Sequence, residues 1–255
     1  MRILAIGDIV GKPARRAVRE LLPSLYREYG IDLVIGNGEN AAGGLGLTPS
    51  TAQELFDSGI DVITTGNHVW AHSELIPYLD GSLAILRPLN YPPATPGRGY
   101  LSKGKILVVN LIGRTFIGSF DCPFRAMDQL LTRLEGKPTV IIVDFHAEAT
   151  SEKVAMGRYL DGRVSAVLGT HTHVGTIDAR ILPGGTAYVT DIGMVGPKDS
   201  VIGDDIDSVI NRFLTQIPRR LAVGKGAVAF DAILVEVNEE TGRAVDIKRL
   251  QKTAQ

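Results

Sequence analysis

The sequence predicts an α/β protein built from two β-sheets that are faced by helices. Short apolar runs typical of buried strands alternate with amphipathic segments of helical period, and hairpin patterns follow toward the end of the chain. No fixed-period repeat and no linker-like change of composition interrupts this order. We therefore expect a single domain over residues 1–255.

The predicted strands are short apolar or β-branched runs that end at Gly, Asn or Asp. In chain order they cover residues 3–6, 33–35, 61–64, 105–110, 139–143, 164–168, 179–182, 187–189, 227–237 and 244–250. Pro183-Gly184-Gly185 separates two of the later runs, and Thr241-Gly242 lies between the last two. Each of these turns favours an antiparallel hairpin.

The predicted helices repeat apolar residues three and four positions apart. They cover residues 13–29, 49–59, 125–134, 150–160 and 205–215. Gly30 is typical of a helix C-cap. Thr48 before Pro49 predicts a helix start, and Thr51 with Glu54 offers an alternative capping box.

Two stretches are predicted to be loops that overhang the rest of the fold. The segment at about 87–103 contains four prolines between Arg87 and Arg98, and the segment at about 113–124 has no regular period. Their apolar residues, in 91–98 and 116–124, make a homo-oligomer a reasonable expectation.

Composition excludes several classes of protein. The chain has 44% apolar and 22% charged residues with a formal charge of −1, so no basic excess for a long nucleic acid is present. The single cysteine, Cys122, rules out an intramolecular disulfide. No apolar run approaches the roughly 20 residues that cross a bilayer, and no signal-peptide pattern opens the chain, so we expect a cytoplasmic protein without a membrane partner.

Polar residues able to bind metal ions stand at the ends of five predicted strands. Four of the five histidines are in this set, which comprises Asp8, Glu39, Asn40, Asn67, His68, His146, His171 and His173. Ligand sites of α/β proteins gather at the carboxyl ends of strands. His171 and His173 would share one face if strand geometry continued through them. If the chain turned between them, they could serve two neighbouring ions.

The chemistry of this set favours transition metals. Carboxylate, amide and imidazole groups together suit Mn, Fe or Zn better than Ca or Cu(I). Seven ligands, with His68 left aside, are too many for one ion. Two ions about 3.5–4 Å apart that share a carboxylate would use them all, as in phosphate ester hydrolysis.

Other interpretations of the same residues are weaker. Asp8 or Asn67 alone would be an ordinary turn residue, and no motif includes His72, which we expect to be structural. Gly36 to Ala41 matches G-x-G-x-x-A, but glycines rather than a helix follow, and Glu39 would repel a pyrophosphate. Neither a Rossmann oxidoreductase nor a Walker A ATPase is supported.

The order of these motifs resembles the calcineurin-like metallophosphoesterases, and most closely their YmdB-type branch. The similar segments are Gly7-Asp8, Gly38-Glu39-Asn40, Gly66-Asn67-His68, a lone His146, Gly169-Thr170-His171-Thr172-His173 and Asp191-Ile192-Gly193-Met194. The resemblance implies a metallophosphoesterase-like two-sheet β-sandwich flanked by helices in αββα layers.

The resemblance also implies roles for the site residues. Glu39 bridges two divalent or mixed-valence ions, with Fe or Mn favoured and Zn or Mg as alternatives. Asp8, Asn40 and His173 complete the first site, and Asn67, His146 and His171 complete the second. His68 is the general acid. Val10 replaces a histidine ligand of the wider superfamily, and Val69 replaces the acid beside the Asn-His pair, so another group must orient His68.

The implied activity is that of a dinuclear phosphodiesterase acting on cyclic nucleotides, with 2′,3′-cyclic mononucleotides favoured. A hydroxide bridging the two ions attacks phosphorus, and His68 protonates the leaving ribose oxygen. The replacements at Val10 and Val69 motivate an alternative, a metal-containing nucleotide-binding or interaction regulator with little turnover.

Overall fold

The computed structural model describes residues 1–134 and 138–255, and its strands form two mixed β-sheets that pack face to face. The strands are β1 (Arg2–Ile6), β2 (Asp8–Ile9), β3 (Leu33–Asn37), β4 (Val62–Thr64), β5 (Ile85–Leu86), β6 (Tyr100–Lys103), β7 (Ile106–Ile112), β8 (Val140–His146), β9 (Ala166–Thr170), β10 (Arg180–Ile181), β11 (Ala187–Val189), β12 (Met194–Pro197), β13 (Val228–Val237) and β14 (Ala244–Ala254). The helices are α1 (Gly11–Tyr29), α2 (Pro49–Asp57), α3 (Ile76–Leu79), α4 (Pro123–Arg133), α5 (Thr150–Tyr159) and α6 (Ile206–Thr215).

The first sheet has the order β2-β12-β13-β1-β3-β4-β5, and β14 pairs with β13. Strands β1, β3, β4 and β5 are parallel to one another, whereas β13 is antiparallel to β1. The second sheet has the order β10-β11-β9-β8-β7-β6, with β7, β8, β9 and β11 parallel. The parallel strands of each sheet therefore end at a common edge.

Three apolar layers hold the domain together. Alternate residues of β1 divide between two of them: Leu4 and Ile6 pack with α1 and α2, and Ile3 and Ala5 pack against the second sheet. A third layer joins the far face of the second sheet to α4 and α5. The architecture is the predicted αββα sandwich, and the fold prediction is confirmed.

The helix caps predicted from the sequence form at the C-terminus of α1 and at the N-terminus of α2. Gly30 adopts the left-handed conformation with φ 59° and caps α1, as its type predicts. Thr48 and Thr51 form a reciprocal capping box at the start of α2. Glu54, the other residue of the alternative box, instead pairs with Arg15 at 2.6 Å.

Several predicted boundaries differ from the structure. Residues 100–103, predicted as part of a loop, form edge strand β6, which pairs antiparallel with β7. Arg87 and Asn90 of the same segment are buried, because their side chains bind backbone carbonyls there. Strands β2, β5 and β12 and helix α3 had no predicted counterpart, since each has only two to four residues.

Among the helices of residues 1–134 and 138–255, none is long and apolar enough to cross a membrane.

Candidate metal centre

The carboxyl ends of the parallel strands of both sheets meet at one cluster of polar side chains. Asp144, in the second sheet, accepts hydrogen bonds from Thr64 and Asn37 of the first, with Asn37 Nδ2 3.3 Å from Asp144 Oδ2. All three side chains are buried. The sheets are thus joined by hydrogen bonds directly beneath the predicted ligands.

One group of ligand atoms surrounds Nε2 of His146. Glu39 Oε1 lies 3.0 Å away, Asn67 Oδ1 3.2 Å and His171 Nδ1 2.9 Å. Of the His, Cys, Asp and Glu side chains in the described part of the chain, Glu39, His146 and His171 are close enough together to hold a metal ion. These are the residues predicted for the second ion, together with the bridging carboxylate.

A second group of ligand atoms lies close to the first, since Asn40 Oδ1 and Glu39 Oε1 are both within 3.4 Å of His68 Nδ1. His173 Nε2 is 3.6 Å from Asp8 Oδ1 and 3.1 Å from Asn40 Nδ2. Asp8 is fully buried, yet its Oδ1 has no hydrogen-bond partner among the described residues. A buried carboxylate oxygen without a donor is costly, and a cation would remove that cost.

The chain turns between the two histidines that follow β9. His171 has φ 103° and His173 has φ 65°, both in the left-handed region that side chains rarely adopt. Strand geometry therefore stops at Thr170, and the two imidazoles join different ligand groups. Of the two arrangements left open by the sequence, this is the one that serves two neighbouring positions.

Each clustered histidine binds a group outside the centre through one ring nitrogen. Thr170 Oγ1 donates its hydroxyl proton in a hydrogen bond to Asp144 at 2.7 Å and lies 2.9 Å from His146 Nδ1, so it accepts a hydrogen bond from Nδ1–H of that ring. His173 Nδ1 lies 2.6 Å from the carbonyl oxygen of Ile202, to which it donates. These bonds leave Nε2 of both rings free to bind a metal ion.

His171 directs Nδ1 rather than Nε2 toward the other ligand atoms. Its Nε2 lies 3.1 Å from Oε2 of Glu148, a half-exposed carboxylate whose charge favours a proton on this nitrogen. Nδ1 is then the free nitrogen, and it faces His146 Nε2.

Burial and neighbouring charges shift the pKa values of Glu39, His146 and His171. Burial opposes ionisation of Glu39, but the neighbouring His146 and His68 lower its pKa to about 2. Burial also opposes a charge on His146, yet Glu39 and Asp8 raise its pKa to about 9. Burial, with the positive charge of His146, lowers the pKa of His171 to about 3. The raised pKa of His146 favours a positive charge where its Nε2 meets Glu39 Oε1, Asn67 Oδ1 and His171 Nδ1. A metal cation would supply positive charge at the same position.

His68 lies beside the two groups and is part of neither. Its Nδ1 is 2.8 Å from Asn40 Oδ1 and 3.4 Å from Glu39 Oε1, and its backbone N–H donates to Glu39 Oε2 at 3.1 Å. About a third of its side chain, 34%, is exposed. Val69 is fully buried in the core. The group that orients His68 is therefore Asn40, not a neighbour in sequence.

A buried ion pair supports the turn that carries the two histidines. Asp191 Oδ2 accepts from Lys153 Nζ at 2.7 Å, from Thr172 Oγ1 at 2.8 Å and from the Thr172 backbone N–H at 3.2 Å. Its Oδ1 accepts from the backbone of Gly193 at 2.9 Å. The Gly193 carbonyl in turn accepts from Asp8 N–H at 3.1 Å. Asp191 thus links the segments that carry Asp8 and the histidines.

All eight predicted site residues lie at this centre, and His72, which no motif included, lies apart. His72 Nε2 is 2.9 Å from the Leu45 carbonyl oxygen. Five residues that support the centre were not among the predicted site residues: Asp144, Glu148, Lys153, Thr170 and Asp191. Asp144 was detectable as a carboxylate within an apolar strand, and Asp191 belonged to a segment noted only for its resemblance.

Two facing sheets whose carboxyl ends hold Asp, Glu, Asn and His in two groups define a metallophosphoesterase-type hydrolase. Residues 4–250 match the model of the family described as YmdB-like protein. The chain belongs to this YmdB-like family.

Relatives of known sequence and structure agree with this assignment. The chain is 47% identical to the 2′,3′-cyclic-nucleotide 2′-phosphodiesterase of Bacillus subtilis (strain 168), over 98% of this chain and 96% of that protein. A solved hypothetical protein from Thermus thermophilus superposes with a TM-score of 0.94 at 45% identity over 100% of both chains. A structure described as a novel phosphatase from Mycoplasma pneumoniae gives 0.93 at 32% identity, over 99% of this chain and 93% of that chain. The recognition, fold and enzyme-class predictions are confirmed.

Proposed function

We propose that this phosphodiesterase hydrolyses 2′,3′-cyclic mononucleotides at a dinuclear metal centre. The observation that carries the proposal is the presence of two ligand groups at one centre: the buried Glu39 contacts His146 in one, and the buried Asp8 lies beside His173 in the other. The activity for which the Bacillus subtilis relative is named supports the choice of substrate.

The residues present fit two metal ions. Asp8, Asn40 and His173 would hold the first and Asn67, His146 and His171 the second, with Glu39 between them. The orphaned Asp8 Oδ1 supports the first position. The ring nitrogens fixed by Thr170, Glu148 and Ile202 support both. The mixed oxygen and nitrogen donors favour Fe or Mn.

The amide of Asn40 decides how the first position is completed. Its oxygen lies on the His68 side and its nitrogen on the His173 side, at 2.8 Å and 3.1 Å. A carboxamide oxygen has two lone pairs, so Asn40 Oδ1 can accept from Nδ1–H of a protonated His68 and would also be the atom offered to a metal ion. A protonated His68 that gives up its Nε2 proton is left as a neutral ring.

When bound, the ions lower the pKa of a water molecule and neutralise charge on the phosphoryl group. The chain's own residues do the rest. Asn40 holds His68 by Nδ1, so the opposite ring nitrogen, Nε2, is the atom that passes a proton to the departing ribose oxygen. Glu39 fixes the backbone of His68, which keeps the acid beside the centre.

The test is metal analysis of purified protein together with assays on 2′,3′-cyclic AMP and bis-p-nitrophenyl phosphate, with Mn added. Two metal equivalents per chain and steady turnover are expected. A protein that binds no metal, or that stays inactive after reconstitution, would refute the proposal. Tight nucleotide binding with negligible turnover would instead favour the regulatory alternative.

A further inference from the structure

A groove of about 1130 Å³ lies where the two segments predicted as overhanging loops meet helix α4. Its lining comes from residues 87–102, residues 114–122 and the exposed side of that helix, and none of the eight predicted site residues belongs to it. Small-molecule pockets usually enclose about 300–1,000 Å³. The groove therefore offers room for a ligand larger than one nucleotide, outside the metal centre.

The groove is positively charged. The charged residues of its lining are five arginines and a single carboxylate, Asp121. Arg114 and Arg125 are exposed, and within residues 1–134 and 138–255 neither forms an ion pair. The arginines that do form ion pairs there are Arg2, Arg15, Arg19, Arg163 and Arg249. Because the whole chain has a formal charge of −1, the positive charge of the groove is a local feature.

Aromatic rings lead from the groove toward the metal centre. Phe120 and Tyr91 both line the groove, with ring centroids 5.0 Å apart. Tyr91 also packs edge-on against Trp70, at 5.6 Å, and Trp70 follows His68 by two residues. Tyr100, which is 41% exposed, adds another ring to the lining. The groove thus begins next to the segment that carries the proposed general acid.

A backbone contact makes a second link between the groove and the metal centre. Gly113 N–H donates to the carbonyl oxygen of His146 at 2.9 Å, one residue before Arg114. The Glu152 carboxylate accepts from the backbone N–H groups of Arg114 and Thr115, each at 3.1 Å. These bonds fix the backbone of Arg114, and its guanidinium remains available for a ligand.

We propose that the groove binds short single-stranded RNA whose 3′ end carries a 2′,3′-cyclic phosphate. The cyclic end would lie at the metal centre and the preceding nucleotides in the groove, so the inference rests on the proposed function. Arginine guanidinium groups bind phosphates, and aromatic rings stack on bases of any sequence. A 2′,3′-cyclic phosphate needs a ribose 2′-oxygen, which DNA lacks. The occupant is therefore RNA, and a strand of a few nucleotides matches the local charge.

Hydrolysis of such an end needs one water molecule and no other co-reactant. A bond forms between the water oxygen and phosphorus, and one of the two P–O bonds to the ribose breaks. The freed ribose oxygen takes a proton, for which His68 is the proposed donor, and the water gives up one proton. A terminal phosphate monoester remains. RNA cleavage through attack of a 2′-hydroxyl is the class of reaction that supplies this substrate.

The test compares two substrates of the full-length, metal-loaded protein: 2′,3′-cyclic AMP and a hexaadenylate that ends in a 2′,3′-cyclic phosphate. At low salt, the KM of the hexanucleotide should be at least about 10-fold below that of the mononucleotide. Arg114→Gln with Arg125→Gln should raise the ratio of these two KM values at least about 10-fold. Arg16→Gln with Arg27→Gln is the matched control, because it removes the same charge from exposed positions of α1 outside the groove. It should leave the ratio unchanged.

Fluorescence anisotropy of a labelled hexaadenylate with a 3′-phosphate measures binding separately from turnover. Each phosphate contact of a single strand contributes about 0.7 to the slope of log affinity against log salt concentration, so the Arg114 and Arg125 variant should lose about 1.4. Tyr100→Leu should weaken binding at least about fivefold through lost base stacking. The salt dependence of that variant should match the wild type.

The two measurements separate this inference from the proposed function. A wild type that hydrolyses 2′,3′-cyclic AMP but has no preference for the hexanucleotide overturns the inference alone. If neither substrate is hydrolysed, the proposed function fails, and unchanged anisotropy in the arginine variant would also reject the groove as an RNA site. Equal competition by hexaglutamate would overturn the inference as well, because charge alone would then explain the binding.

Discussion

Each clustered histidine uses one ring nitrogen for a partner outside the centre and points the other inward. Thr170, Glu148 and the Ile202 carbonyl are those partners. Such contacts fix the tautomer that a metal ligand needs. The sequence could reveal the ligands because they recur at strand ends. It could not reveal the Ile202 carbonyl, because a backbone oxygen 29 residues from His173 carries no residue-type signal.

Glu39 and His68 have different proposed roles, and substitution separates them. Glu39→Ala removes the carboxylate that both proposed ions would share, so metal content should fall to near zero. His68→Ala should keep both ions and lose about 10²–10⁴ in kcat, the usual contribution of a general acid. Metal stoichiometry and kcat are the two measurements.

His72→Ala is the matched control for these variants, since His72 binds only the Leu45 carbonyl. It should retain metal and kcat. Equal loss of metal in the His68 and Glu39 variants would contradict the separation of roles.

The Lys153–Asp191 pair is predicted to contribute to stability as a unit. Both side chains are buried, so Asp191→Asn leaves an unpaired ammonium and should cost about 3–5 kcal/mol in the free energy of unfolding. Lys153→Met should cost a similar amount. The double variant buries no charge. Its loss in the free energy of unfolding, measured by urea denaturation, should therefore be smaller than the sum of the losses of the two single variants.

Arg163→Met provides the comparison, because Arg163 forms an equally short pair with Asp128 whose side chains are 37% and 41% exposed. That loss should be at most about 1 kcal/mol. Strictly additive effects of the two buried substitutions would mean that Lys153 and Asp191 do not act as a pair.

Among the elements, the junction between β2 and β12 sets the position of Asp8, which pairs with Met194. An alanine Cβ at Gly7 would lie 2.0 Å from the Gly193 carbonyl oxygen, which is backbone and cannot rotate away. Gly7→Ala should therefore separate the two strands, cost about 3 kcal/mol or more and reduce metal binding.

Thermal unfolding and metal titration would measure this effect. Gly81→Ala is the control, because its Cβ would meet only the Tyr78 carbonyl at 3.3 Å. Its change should stay within about 0.5 kcal/mol. A Gly7 variant as stable as that control would show that the strands tolerate a side chain there.

Helices and strands were predicted correctly where the apolar pattern in the sequence is long. Strand β8 is a continuous β-branched and apolar run, and α1 repeats apolar residues over five turns before Gly30, so both were identified. Strand β12 was missed because Met194–Pro197 includes Gly and Pro, residues typical of turns. Its strand conformation comes from pairing with β13 and β2, contacts that lie far away in sequence.

At the scale of the whole molecule, the sandwich brings together residues from both sheets. Asp8, Glu39 and Asn67 follow strands of the first sheet. In the second sheet His146 ends β8, and His171 and His173 follow β9. The strand-end pattern predicted this convergence, because parallel strands end at a common edge. Helix α6 was predicted only as a helix, since the exposure of its apolar side chains depends on how the rest of the chain packs.

The proposed function requires two metal ions that share Glu39 as a ligand. Anomalous diffraction at the Fe and Mn edges, from crystals of protein never treated with chelator, would locate and count them. We expect two peaks about 3.5–4 Å apart, one beside Asp8 and His173 and the other beside His146 and His171. A single peak, or peaks that do not share Glu39, would contradict the account.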